Sequence, residues 1–202
     1  DYVCDADAER IRLALEALPD GDWRGEALLD CDGLDASEEY PVRCSLRKRG
    51  GRLEVDLSGT ARQARTSING TYLDTKTTVG VVLKFLLDPH GGFTSGCYRH
   101  VDILIPDGAV CSALPPDGVV FAYGESTNAL LVAMFQALAE PLGARAVAGD
   151  TGAPNLHSAF GAGPRGPWLS IGVGGGERGP WGGTSAGDGD SYSIFMQANS
   201  ID

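Results

Sequence analysis

The sequence predicts an α/β or α+β domain in which a mixed, partly antiparallel sheet packs against two core helices, with a glycine-rich C-terminal region. Two observations lead to this prediction: a strand–turn–strand pattern over residues 42–57, and two apolar segments with helical periodicity that end near residues 87 and 139. A chain of 202 residues, 43% of them apolar, fits one domain with its own core. We therefore expect a single domain over 1–202, with an acidic N-terminal lobe over about 1–40 and glycine-rich loops over about 143–190.

The first predicted element is an amphipathic helix over residues 7–18. Its apolar residues recur at helical spacing: Ala8, Ile11, Leu15 and Leu18. Pro19-Asp20-Gly21 ends this helix. An acidic loop is expected to follow, through Asp30-Cys31-Asp32-Gly33-Leu34-Asp35.

A β-hairpin is predicted over residues 42–57. Apolar residues alternate with polar ones on both sides of Gly50-Gly51: Val42, Cys44 and Leu46 before it, and Leu53, Val55 and Leu57 after it. This period of two predicts strands with one buried and one exposed face, joined by a turn at the glycines.

Two further helices and a strand are predicted downstream. Asp74 or Thr75 is expected to cap a helix that runs to about Leu87. Its inward residues are Val79, Val82, Leu83, Phe85 and Leu86. Residues 101–105 predict a short strand, and Val119-Val120-Phe121 is a second candidate. Ser126 or Thr127 is expected to cap the most apolar helix, over 129–139, which we place at the centre of the core.

The composition changes after Leu142, since residues 143–189 contain 15 of the 29 glycines. A strand-like segment, Trp168-Leu169-Ser170-Ile171, lies among them. Interleaved large residues, including Phe160 and Trp181, argue against a disordered linker. We expect ordered, irregular loops, of which residues 172–189 pack against the loops near Asn69 and Arg99. Glycine in these loops lets the backbone approach a ligand or another subunit.

Charge and cysteine content exclude several classes of protein. Of the net charge of −11, residues 1–40 contribute −10. Such a field repels phosphate backbones, so nucleic acid is not an expected partner. The acidic face is either simply solvated or a docking face for a basic neighbour. Five widely spaced cysteines predict free thiols and a cytoplasmic protein. No apolar run reaches the roughly 18 residues of a membrane span.

Familiar binding and catalytic motifs are incomplete. The acidic segment from Asp30 does not have glycine and glutamate at the loop positions where an EF-hand requires them. The glycines over 172–176 are followed by Pro180 rather than by the helix that a dinucleotide fingerprint requires. Gly124-Glu125-Ser126-Thr127-Asn128 lacks the second glycine of a nucleophile elbow, so Ser126 is better interpreted as a helix cap. The three histidines are scattered, and no catalytic group or metal ligand is predicted.

Three polar loop clusters remain. The first runs from Asp56 through Ser58 to Asn69-Gly70, the second is Gly96-Cys97-Tyr98-Arg99-His100, and the third runs from Gly179 to Asp190.

In order and spacing these clusters resemble the hydantoinase B family. This is the large subunit of ATP-dependent hydantoinases and 5-oxoprolinases, shared with acetone- and acetophenone-carboxylase-type enzymes. The segments that carry the resemblance are 18–21, 30–33, 55–60 with Gln63 and Asn69, 92–108 with Pro115-Pro116, 152–161, and Trp181-Gly182 with Asp188-Gly189-Asp190. Each motif is weak alone, and together they cover nearly the whole chain.

The resemblance implies the middle segment of a longer catalytic subunit, part of an ATP-dependent amidohydrolase of hydantoin, oxoproline or lactam rings, or of a ketone carboxylase. A hydantoinase A-type partner would bind ATP and phosphorylate a carbonyl or carboxylate, which makes a poor electrophile or an unstable nucleophile workable. ATP with Mg and a Zn or Mn ion is implied for the complete enzyme. No cofactor is expected in this chain, which lacks the family's His-x-x-Asp pair. A non-catalytic scaffold or assembly module descended from the family is the alternative.

The resemblance also implies residues that bind a small-molecule substrate: Ser58, Asn69, Arg99, Asp188 and Asp190. Arg99 suits a carboxylate or phosphate, and Ser58 and Asn69 can donate or accept hydrogen bonds. For Asp188 and Asp190 a role in forming turns is the competing interpretation.

Overall fold

The computed structural model describes residues 2–119, 125–148, 156–173, 178–179, 183–188 and 193–194. In chain order its main elements are α1 (Tyr2–Glu16), β1 (Gly21–Leu29), β2 (Tyr40–Arg49), β3 (Arg52–Asp56), α2 (Tyr72–Leu87), β4 (Val101–Leu104) and α3 (Glu125–Leu142). A hairpin of β5 (Leu156–Gly163) and β6 (Gly166–Val173) follows, and then two short strands, β7 (Arg178–Gly179) and β8 (Ser193–Ile194). None of the described helices is long and apolar enough to span a membrane.

The first four strands form one mixed sheet in the order β1-β2-β3-β4. The pairs β1–β2 and β2–β3 are antiparallel, whereas β3 and β4 are parallel. The predicted hairpin is confirmed: Arg49 pairs with Arg52 across a turn in which Gly50 has φ 54°, a left-handed conformation that glycine adopts at little cost. The predicted mixed, partly antiparallel sheet is confirmed as well.

The alternating residues of the hairpin divide the sheet into a buried and an exposed face. Val42, Cys44, Leu46, Leu53 and Val55 are all buried. On the buried side, α3 packs against β1 and β2 and also contacts α2. The opposite face carries charged side chains joined by ion pairs, such as Arg47 with Glu54 and Arg52 with Asp102. The sheet therefore needs only one covering layer of helices.

The helix predictions are right in their periodicity and wrong at their starts. The buried residues of α1 include the predicted Ala8, Ile11 and Leu15, but the helix begins at Tyr2. The N-cap of α2 is Thr71, not Asp74 or Thr75. Asp74 instead occupies the N3 position of a capping box. Its backbone N–H donates to Oγ1 of Thr71 at 3.1 Å.

The central helix α3 confirms its predicted place in the core. Leu130, Leu131, Met134 and Leu138 are at most 1% exposed. The predicted cap is wrong, because α3 includes Glu125 and places Ser126 and Thr127 inside its first turn.

Two regions predicted as loops form strands. The first part of the predicted acidic loop is β1, which the prediction missed because Gly25 and the charged residues break its apolar alternation. The region predicted as irregular glycine-rich loops contains β5 and β6, which pair along their whole length, so that part of the prediction is wrong. The strand predicted over 168–171 lies within β6. Of the candidate strand at 119–121, Val119 makes a bridge to Asn69, and the other two residues lie outside the described part.

Candidate functional site

Asn69 holds the first polar cluster together. Its side chain is fully buried, and its Oδ1 accepts from the backbone N–H of Ala64 at 2.8 Å. Its Nδ2 donates to the carbonyls of Ala64, Thr66 and Gly118 at 2.8–2.9 Å. The whole amide is therefore used to join the loop over 64–69 to the loop that carries Gly118.

The N-termini of α2 and α3 meet beside the side chain of Asn69. The N–H of Gly70 donates to the carbonyl of Val110 at 2.8 Å, and its own carbonyl accepts from Ala113 at 3.0 Å. A Cβ at Gly70 would lie 2.6 Å from Oγ of Ser126, so the backbone of the α2 cap and the first turn of α3 are in close contact. The N-termini of two helices, each with a partial positive charge, therefore lie next to each other.

The first turn of α3 contains polar groups that have no hydrogen-bond partner among the described residues. Oγ of Ser126 and both amide atoms of Asn128 are buried and unpaired there. Buried polar atoms are nearly always paired in native proteins, so each exception needs an explanation. Sequence reasoning interpreted Ser126 as a cap and assigned nothing to Asn128. A signal was present, because four polar residues in a row, 125–128, open the most apolar of the described helices.

Asn128 lines an open groove of about 510 Å³ between β1 and α3. Apolar residues of the groove include Leu28, Leu29 and Val132, and carboxylates lie at Glu26, Asp30 and Glu125. Gln136 also lines the groove, and its Oε1 accepts from the backbone N–H of Glu26 at 3.2 Å.

Ser58 lies at the neighbouring turn. Its backbone N–H donates to Oδ1 of Asp56 at 2.8 Å, and its side chain is exposed. The adjacent Gly59 lines a second groove, which shares Glu26 and Gln136 with the first. The carbonyl of Gly59 accepts from Nη1 of Arg43 at 3.2 Å, and Arg43 also forms an ion pair with Glu26. The structure thus brings the Ser58 turn and the Asn128 groove to the same β1–α3 edge.

Arg99 lies with the N-terminal helix. Its guanidinium pairs with Asp5 in α1, and this hydrogen bond lowers the pKa of the Asp5 carboxyl and raises the pKa of Arg99. Arg99 thus already pairs with a carboxylate of its own chain, whereas the amide of Asn69 is bonded to backbone groups of the loops around it. Arg99 and Asn69 therefore belong to two different hydrogen-bonded clusters.

The third polar cluster is described only in part. Residues 183–188 form an exposed turn with a bridge between Thr184 and Gly187, and Asp188 lies at its end. Oγ of Ser185 donates to the carbonyl of Ala144 at 2.7 Å, which joins this turn to the segment after α3. Asp190 and Trp181 lie outside the described residues. The expected packing of 172–189 near Asn69 and Arg99 therefore stays a prediction.

Metal-binding residue types are dispersed. In the described residues, no three His, Cys, Asp or Glu side chains come together as a metal site. The Zn or Mn ion implied for the complete enzyme has no matching ligand set in that part of the chain. All five cysteines are free, and burial raises the pKa of Cys44 to about 12.

Comparison with known proteins decides the family. The sequence model of hydantoinase B/oxoprolinase matches residues 1–201. The chain belongs to the hydantoinase B/oxoprolinase family. The resemblance of the polar clusters is thereby confirmed, although each cluster is weak by itself.

Two relatives of this hydantoinase B-type chain extend the comparison. A protein assigned as the B-type component of a D-/L-hydantoinase in Pseudomonas sp. (strain NS671) is 31% identical over 141 residues, which are 64% of this chain and 24% of that protein. An uncharacterized protein of Methanocaldococcus jannaschii is 26% identical over 129 residues, 62% of this chain and 23% of that protein. The matched segments span about a quarter of these relatives.

Two solved structures share the fold. The ATP-dependent caprolactamase of Pseudomonas jessenii aligns with a TM-score of 0.80 and 23% identity, over 96% of this chain and 33% of that chain. A nucleotide-free acetone carboxylase aligns with a TM-score of 0.75 and 18% identity, over 94% of this chain and 28% of that chain. At these identities the likeness establishes the architecture of the hydantoinase B-type chain.

Proposed function

We propose that this chain is part of the catalytic subunit of an ATP-dependent amidohydrolase that acts on hydantoin, oxoproline or lactam rings, or of a ketone carboxylase. The observation that carries the proposal is the family match over residues 1–201, together with a relative assigned as the B-type component of a hydantoinase. The similarity to a caprolactamase and to an acetone carboxylase supports both branches.

The partner in this proposal is a hydantoinase A-type subunit that binds ATP with Mg. Its phosphorylation of a carbonyl or carboxylate oxygen creates a good leaving group, and the present subunit then completes hydrolysis or carboxylation. A Zn or Mn ion belongs to the complete enzyme in the same proposal. The five free thiols support a cytoplasmic location.

The β1–α3 edge is the part of this chain that best fits a substrate-facing role. Here a polar turn at Ser58 adjoins a groove that contains an unpaired amide. A groove that combines apolar walls with a polar group of this kind can hold a ring in one orientation.

Product analysis tests the proposal. The complete protein with its partner is incubated with ATP and either a hydantoin, a lactam, or an aryl ketone with bicarbonate, and the products are identified by mass. A ring-opened acid shows the amidohydrolase, and a keto acid shows the carboxylase. A protein that forms neither product from any of the three substrates, and still assembles with its partner, contradicts the proposal and favours the scaffold.

A further inference from the structure

Asn128 is the most conspicuous unused polar group in the described part of the molecule. It lies in the first turn of α3, is 3% exposed, and pairs neither Oδ1 nor Nδ2 with any group of the described residues. An unpaired buried amide is destabilising because it has lost its hydrogen bonds to water and gained none in return. Asn69, the fully buried asparagine of the neighbouring loop, satisfies its whole amide. One buried asparagine of the domain is thus fully hydrogen-bonded, whereas the other has no partner among the described residues.

The groove beside Asn128 has room for a small molecule. It holds about 510 Å³, within the range of small-molecule sites, and Asn128 is a buried residue of its lining. Leu28, Leu29, Ala129 and Val132 supply apolar walls. Both amide atoms are covered by protein in this conformation. Because χ2 of asparagine has a broad distribution, a change of side-chain torsion brings the carboxamide to a molecule in the groove.

A carboxamide edge selects its ligand by geometry. It presents one donor and one acceptor side by side, so it pairs best with a group that offers an acceptor and a donor in the same arrangement. A cis amide inside a small ring has its C=O and N–H on the same edge and matches this requirement. The trans amide of a peptide points them in opposite directions and cannot make both bonds to one side chain.

The charges around the groove favour a neutral ligand. Glu26, Asp30 and Glu125 line it, and Arg43, which pairs with Glu26, is not part of its lining. Carboxylates repel an anion at close range. The three carboxylates outweigh the partial positive charge at the N-terminus of α3, so the charges of the groove favour a neutral ring over the carboxylate that forms when such a ring opens.

We propose that Asn128 is the recognition residue of a binding site for neutral cyclic amides, in which its carboxamide pairs with the C=O and N–H of the ring. The inference rests on the proposed function, and it names the residue and the hydrogen-bond pattern that select the substrate at the β1–α3 edge. Asn128 is a binding residue here, and no proton transfer is assigned to it.

The first test compares ring amides with their N-methylated forms, in which a methyl group replaces the donor hydrogen. Hydantoin and caprolactam are titrated into the protein that carries this chain, beside 1,3-dimethylhydantoin and N-methylcaprolactam, and binding is measured by calorimetry. The parent rings are expected to bind roughly tenfold or more tightly than the methylated rings, because methylation leaves Oδ1 unpaired. Equal binding of parent and methylated rings overturns the proposal, and so does the absence of binding by any ring.

The second test uses Asn128→Leu, which removes both polar atoms and keeps the branched shape and the number of heavy atoms of the side chain. Hydantoin binding is expected to weaken roughly tenfold or more. The melting temperature without ligand is expected to stay the same or rise, because no hydrogen bond is lost. Asn69→Leu is the matched control and is expected to lower the melting temperature. If Asn128→Leu binds hydantoin as tightly as the parent, or loses stability as Asn69→Leu does, the residue is structural and the proposal fails.

These outcomes separate the inference from the proposed function. A complete protein that opens rings equally well with Asn128→Leu keeps the function and loses the inference. A protein that binds rings through Asn128 but forms no product with ATP and its partner keeps the inference and loses the function.

Discussion

The ammonium of Lys48 lies 2.9 Å from Oδ1 of Asp20 and 2.6 Å from the carbonyl oxygen of Leu18. Lys48 follows the inward register of β2 and is only 2% exposed, whereas the side chain of Asp20 is largely exposed. The hydrogen bond from Lys48 holds the pKa of the Asp20 carboxyl below its usual value. This contact ties the end of α1 to the sheet hairpin.

Replacement of Asp20 should therefore destabilise the fold through Lys48. Asp20→Ala is expected to lower the free energy of unfolding, because the buried ammonium loses its counter-charge. In a Lys48→Met background the same change should cost less, because only the hydrogen bond from the N–H of Gly50 is then lost. Urea unfolding of the four proteins measures both costs, and equal costs in the two backgrounds would show that Lys48 and Asp20 do not interact.

Asn69 is expected to be a stability residue whatever else it does. Asn69→Leu should lower the free energy of unfolding by about 3 kcal/mol or more, because several buried backbone groups lose their side-chain partner. At low pH the neutral carboxyl of Asn69→Asp keeps an acceptor oxygen and one O–H donor, so it should destabilise less than Asn69→Leu. An unchanged free energy of unfolding in Asn69→Leu would contradict the role of Asn69 in joining the two loops.

Close packing of α3 on β1 depends on Gly25. A Cβ at this position would overlap the backbone carbonyl of Ala133, which cannot move without shifting the helix. Gly25→Ala should cost about 1–3 kcal/mol. Gly118→Ala is the matched control, since its Cβ would meet only ordinary contacts at 3.6 Å from Ser67. Thermal unfolding compares the two variants, and similar melting temperatures would argue against the close approach of α3 and β1.

The acidic loop gives a prediction about pH. The backbone N–H groups of Asp35 and Leu34 donate to Asp32 and hold its pKa below the usual value. Because the folded pKa is depressed, its contribution is complete above the unfolded pKa of roughly 3.9 and is lost as pH falls through the folded value. Asp32→Asn keeps the acceptor oxygen and cannot titrate, so it should flatten the fall in stability below about pH 4. Urea midpoints are measured for both proteins between about pH 2 and pH 7. An equal fall in the midpoints of the two proteins would contradict this role of Asp32.

The sequence predicted elements whose burial pattern is regular. Val42, Cys44 and Leu46 alternate without interruption, and the hairpin that they predict is present. Strand β1 was not predicted because Gly25 interrupts its row of inward apolar side chains. Glycine is needed there because of Ala133 in α3, which is far along the chain. The cap of α2 was misplaced because Asp74 occupies the N3 position of a capping box, and composition alone does not distinguish N3 from the cap.

The candidate site was harder to predict than the fold. Asn69 stood out in the sequence through its motif, and the structure shows a fully paired amide. Asn128 belonged to no motif, and only the lack of a partner among the described residues distinguishes it. A missing hydrogen bond is a property of the tertiary structure, so no local pattern predicts it.

The most direct test of the proposed function is ADP release measured with and without the ATP-binding partner. The 202-residue chain is assayed alone and after addition of a hydantoinase A-type subunit, with hydantoin, a lactam or an aryl ketone plus bicarbonate. We expect no ADP release above background from the chain alone, since no nucleotide-binding loop is found in its sequence. We expect substrate-dependent release when the complete protein is paired with its partner. Substrate-dependent ADP release by the isolated chain, or none by the complete assembly with any of these substrates, would contradict the proposed division of labour.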